Sequence, residues 1–233
     1  MTIDSVTRFR RRASGVSLIL FPLSMLGAAL AQPALGDKPA QVYDVAAAHP
    51  GRLAASVAIG LPGVALWVAG IVGAVHLVRR RGAVLSHIGG GLALLGAVAH
   101  AMMATLFLVL LALPKTGDRA QLVPAVDRVA SHVFPVATPL LVLGGIGVLL
   151  LAFALRRAGQ VPRVVPALVL LGFLSEFVPL PGTSGDVVLW VLVSAGLGLV
   201  GRRVLTMADE DWAAPPVVDA PQSVVRSTVT QPV

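Results

Sequence analysis

The stretch GAVHLVRRRGAVL, residues 73–85, decides the fold, because three consecutive arginines, Arg79, Arg80 and Arg81, interrupt two long apolar runs at residues 53–78 and 84–113. Each run exceeds the roughly 20 residues that cross a bilayer as a helix. The link between them is too short for anything but a tight turn. Two adjacent antiparallel spans with a basic turn on one face of a membrane follow from these few residues.

Working outward, further apolar runs lie at residues 13–31, 129–155, 164–180 and 187–205. The expected fold class is all-α, a polytopic transmembrane bundle of six spans with amino and carboxyl ends both cytoplasmic. In hydrocarbon an unpaired backbone group costs several kcal/mol, so spans of this length must close their own hydrogen bonds as helices. A barrel would need shorter, alternating strands. Composition agrees: 56% of the 233 residues are hydrophobic, 12% are charged and mean hydropathy is +0.87.

Basic residues set the orientation. With the amino end inside, Arg8, Arg10, Arg11, Arg12, Arg79, Arg80, Arg81, Arg156, Arg157, Arg163, Arg202, Arg203 and Arg226 are cytoplasmic, thirteen of the eighteen lysines and arginines. Lys38, Arg52, Lys115, Arg119 and Arg128 fall outside, and thirteen against five fixes the sidedness. The net charge of +7 is thereby assigned to membrane orientation, not to nucleic acid. Residues 1–12 read as a basic cytoplasmic leader. The first apolar run also has features of a secretory signal, with Ala29-Leu30-Ala31 before Gln32, but its near-spanning length favours a retained helix. From residue 206 the chain turns acidic and then rich in Pro, Ser and Thr, which predicts a disordered cytoplasmic tail.

Two external connections, 32–52 and 114–128, carry helical apolar spacing at Val42, Val45 and Ala46 and at Leu122, Val123 and Val126. Helices lying along the outer surface are expected there. Small residues at period four, Gly89, Ala93, Ala97 and Ala101, let backbones approach; Gly144, Gly145 and Gly147, and Gly196, Gly198 and Gly201, are the expected partners.

Ionisable groups at membrane depth are candidates for function. His100 sits deep in the third span, His132 opens the fourth and Glu176 lies late in the fifth. Together they would form a polar cluster in the outer half, able to pass a proton or contribute to a metal site. No His-Glu-x-x-His run supports a metal, and the absence of cysteine removes thiolate ligands. Haem is disfavoured: His87 and His100, thirteen residues apart, point roughly 140° apart around a helix. No nucleophile elbow, phosphate loop or dinucleotide fingerprint is present. No catalytic residue and no cofactor is therefore assigned.

His49-Pro50-Gly51-Arg52, the following span with Pro62, the arginine turn and the glycines from Gly89 to Gly96 resemble a broad group of six-span membrane proteins of high-GC bacteria. The likeness covers most of residues 10–205. It implies the fold and nothing about mechanism, since that group carries no assigned activity. The tail after Met207 departs from it.

The expectation is a plasma-membrane protein of structural or regulatory type, in contact with lipid, with a cytoplasmic partner on the tail after Met207 or a second copy of the chain. A small proton-coupled permease using Glu176, His100 and His132 is the alternative, and a metal- or haem-dependent membrane enzyme a third.

Overall fold

Helices are the only regular elements among the described residues of the computed structural model, which are 3–36, 38–79, 81–113, 119–178 and 183–213. They are α1 (Ile3–Ala31), α2 (Pro39–Ala48), α3 (Pro50–His76), α4 (Ala83–Ala112), α5 (Arg119–Arg157), α6 (Val164–Ser175), α7 (Ser184–Thr206) and α8 (Asp209–Ala213). Five of them, α1, α3, α4, α5 and α7, are long and apolar enough to cross a membrane. The 12-residue α6 is apolar but rises only about 18 Å. Its expected continuation to residue 180 reaches positions outside the described residues.

Consecutive long helices alternate in direction and close a ring, in which α1 packs on α3, α3 on α4, α4 on α5, α5 on α6, α6 on α7 and α7 on α1. One end of the ring carries most of the arginines, among them Arg8, Arg11, Arg79, Arg156, Arg157, Arg202 and Arg203. There the turn between α3 and α4 depends on Gly82, whose φ of +90° is accessible to glycine at no steric cost. At the same end α5 stops in a Schellman motif: Gly159, at φ +73°, donates to the Arg156 carbonyl and Gln160 to that of Leu155.

Small residues bring α4 and α5 into backbone contact. A Cβ added to Gly96 would lie 2.8 Å from the Cα of Gly144, and one added to Gly89 would lie 2.9 Å from the Gly147 carbonyl oxygen. The glycines of α7 go elsewhere than the sequence pattern suggests. Gly201 meets the Gly15 carbonyl of α1, Gly196 meets Val165 of α6, and Gly198 has nothing within 4 Å. Large apolar side chains such as Val72, Ile88, Val98, Val142 and Leu171 face outward, as a lipid-facing surface requires.

Three boundaries differ from expectation. The basic leader is not separate from the first span: α1 starts at Ile3, so Arg8 and Arg11 occupy its first turns. The external helix foreseen before the fourth span is continuous with it, forming the 39-residue α5, which runs through Pro124, Pro135 and Pro139. Its first turns pack Leu122, Val123 and Val126 against Tyr43 and Ala46 of α2 and Leu110 of α4, a second apolar core at the end remote from the arginines.

The third difference concerns the tail expected to be disordered from residue 206. Residues 209–213 form α8 and dock, with Trp212 only 6% exposed; residues 214–233 lie outside the described residues. Three acidic residues in its first turn suit the positive end of a helix dipole. Asp209 accepts from Arg11 Nε at 2.7 Å and from Arg8 Nε at 3.1 Å. Arg11 also donates from Nη1 to the Val204 and Leu205 carbonyls at the end of α7, so its buried charge is paired with Asp209 and hydrogen-bonded. These guanidinium groups hold the Asp209 carboxyl below its ordinary range. Trp212 packs against His76 with ring centroids 4.5 Å apart and planes inclined by 47°, and Arg79 donates to its carbonyl.

Candidate functional site

Helical spacing puts His100, Met103, Ala104 and Phe107 on one face of α4, since residues three and four apart are neighbours. Asp186 and Trp190 stand one turn apart on α7. These faces, with Met25 of α1, Gln32 just after it and Ser56 and Gly60 of α3, enclose a cavity of about 220 Å³ in the half of the ring remote from the arginine-rich end.

An aromatic layer bounds it toward the ring's middle. Trp67 of α3 lies over His100 with centroids 4.8 Å apart, meets Phe21 of α1 at 5.0 Å and takes Trp190 edge-on at 5.9 Å. His100 also meets Trp190 edge-on at 5.8 Å. Its Nδ1 donates to the Gly96 carbonyl at 2.8 Å, which leaves Nε2 of the neutral ring as a lone-pair acceptor. The Trp67 indole N–H is buried with no acceptor among the described residues, where a buried donor normally finds one.

His100, His132 and Glu176 do not form one cluster. His100 faces neighbouring helices, as expected from its place in the small-residue face. His132 is exposed and donates to the Arg128 carbonyl at 2.6 Å. The cause is angular: at about 100° per residue, it sits roughly 140° around α5 from buried Ala137 and 120° from Gly144. Glu176 is exposed at the end of α6, its Oε1 beside Gly185 at the start of α7. Among the described residues no three His, Asp or Glu side chains group to hold a metal ion.

The cavity's own carboxylate is Asp186, a residue that sequence reasoning passed over as part of the loop before the last span. It has no hydrogen bond or ion pair among the described residues. A signal was available, a carboxylate one helical turn ahead of a tryptophan. The tryptophans Trp67 and Trp190 were missed as well, because aromatic residues in an apolar run do not break the pattern.

At the arginine end a second cavity, of about 410 Å³, lies beside α8 between Leu77, Arg79, Arg81, Gln160, Met207 and Asp211. It follows the seam along which α8 docks. No protein-family model, curated protein or solved structure matches the chain.

Proposed function

We propose that this chain is a six-span plasma-membrane protein with both ends in the cytoplasm, and that it is a small permease admitting a solute to the cavity in its outer half. The observation that carries this reading is the cavity above the aromatic layer of Phe21, Trp67, His100 and Trp190. Five long apolar helices support the membrane, and the arginine bias supports the orientation. In this reading α6 completes the sixth crossing together with the residues that follow it.

Asp186 replaces the outer carboxylate expected at Glu176, and His100 is the imidazole at the cavity floor. His132 takes no part. Beneath the aromatic layer the helices pack closely around Ala93, Ala97, Val193 and Leu197, so passage requires that layer to part.

Because the chain has no cysteine, single cysteines report access cleanly. Ser56→Cys, lining the cavity, should react with a membrane-impermeant maleimide in intact cells. Ala158→Cys, at the arginine end, should react only after permeabilisation. Val193→Cys, below the layer, should react slowly from the cytoplasmic side if the protein alternates. Labelling of Ala158→Cys from outside would reverse the orientation, and an inert Ser56→Cys would remove the cavity as an entry.

A second reading, regulation through the carboxyl end, draws on the docking of α8 against α1 and α3. Truncation after Met207 then abolishes the cellular activity or partner binding while the bundle stays folded; an unaffected phenotype rejects it.

A further inference from the structure

We propose that the cavity takes a small organic cation, with the Asp186 carboxylate as counter-ion and the face of Trp190 as the second contact; this names the solute class of the site described above and rests on that reading. Among the described residues that line the cavity, Asp186 is the one acid, and neither lysine nor arginine is present. Asp186 is half-buried, and a carboxylate partly withdrawn from water without a partner carries a desolvation cost, so a cation entering beside it relieves a cost that a neutral solute leaves in place. Anions would add to it.

A second acid stands near the cavity. Glu176 Oε1 lies 3.7 Å from where a Cβ on Gly185 would stand, one residue from Asp186, so a second carboxylate neighbours the start of α7. Arg52, at the same end, does not line the cavity: its guanidinium is held against the Leu30, Ala31 and Gln32 carbonyls at and just after the end of α1.

The walls select an organic cation over a bare metal ion. Hard divalent cations want six or more oxygen ligands, whereas one lining carboxylate is offered here and no three-residue metal group exists among the described residues. Trp190 lines the cavity one turn from Asp186, and an indole π system is of the kind that attracts ammonium groups. Phe107, Met25 and Met103 give an apolar and adaptable lining for the rest of the molecule. The volume of about 220 Å³ limits the solute to a single small ring or short chain.

The test uses the full chain in lipid nanodiscs and three probes of nearly one shape: benzylammonium, benzyl alcohol and benzoate. Calorimetry should show benzylammonium binding at least about tenfold tighter than the other two. Asp186→Asn should weaken benzylammonium by about tenfold or more and leave benzyl alcohol unchanged. Asp186→Glu should keep the preference for the cation, and retained benzyl alcohol binding by Asp186→Asn shows that this variant is folded.

Equal affinity for benzyl alcohol and benzylammonium, or indifference of benzylammonium to Asp186→Asn, overturns the cation while leaving a solute site. So does binding of none of the three while Ser56→Cys is labelled from outside. An unlabelled Ser56→Cys removes the permease reading itself.

Discussion

At the arginine end, Gly89 and Gly147 set the backbones of α4 and α5 against one another and Gly15 and Gly201 do the same for α1 and α7, while Arg11 and Asp209 fasten α8 across the base. At the opposite end, the same helices part around Met25, Ser56, Ala104 and Asp186 and enclose a cavity. Lipid supplies little drive for helix association, so contact must come from backbone proximity, and a half without it can hold space. The difference teaches where rigidity and access have been separated in one ring of helices.

The largest expected effect is at the α4–α5 contact. A Cβ at Gly147 would meet the Ala93 nitrogen and lie 2.6 Å from the Gly89 carbonyl oxygen, atoms of backbone that cannot rotate aside. Gly147→Ala should therefore cost about 3 kcal/mol or more in unfolding measured in detergent, the scale of overpacking a tight core. Gly91→Ala, where a Cβ meets nothing within 4 Å, is the control and should be neutral or gain up to about 1 kcal/mol from helix propensity. Equal stability of the two variants would mean that α4 and α5 are not held by close backbone contact at Gly147.

How much of this was legible follows from what each pattern encodes. The runs flanking Arg79–Arg81 announce helices because lipid leaves the backbone no other solution. The period-four row of Gly89, Ala93, Ala97 and Ala101 announced a close approach, and of the two glycine groups expected to answer it, Gly144 and Gly147 of α5 do. Gly196 and Gly201 met α6 and α1 instead, since a small residue says that something approaches and not what. His132 was misassigned because its direction depends on the rotation of α5 against its neighbours. Asp186 was missed because the span was begun at Val187, three residues after α7 starts at Ser184. Trp212 was missed because one aromatic after an acidic run has no period to read.

Docking of α8 is the next contact to break. Arg11 and Arg8 depress the Asp209 carboxyl below its ordinary value of 3.8. A carboxyl lowered by folding contributes fully above its unfolded value and loses that contribution as pH falls through the lowered one. Acid titration should then shift Trp212 emission to longer wavelength at pH below about 3.8, judged against Trp212→Phe. Asp209→Asn should show the shifted emission already at neutral pH and no acid step of its own. An unchanged spectrum in Asp209→Asn would mean that Trp212 and His76 alone hold α8.

A smaller effect is expected when the cavity is filled. Ala104→Leu adds three carbons to a wall that faces open space, so unfolding should move by less than about 1 kcal/mol, unlike Gly147→Ala. Maleimide labelling of Ser56→Cys should nevertheless slow sharply in that background. A large loss of stability would show that the remote half is as tightly packed as the arginine half, and unchanged labelling would show that the space is reached by another path.

The smallest effect separates two ion pairs that look alike on paper. Arg119 binds both Asp44 oxygens, at 2.7 and 2.9 Å, and draws the Asp44 carboxyl below its ordinary range, much as Arg11 does for Asp209. Both partners stand in solvent, however, with side chains 57% and 52% exposed, whereas the Arg11 side chain is 8% exposed. Water screens an exposed pair and ordering two long side chains offsets what attraction remains. Asp44→Ala should leave the melting temperature unchanged within error at physiological salt, because Tyr43, Ala46 and Val126 hold α2 by apolar contact. A clear drop, abolished by high salt, would instead make the Asp44–Arg119 pair a fastening of the remote half comparable to the one that Arg11 supplies at the base.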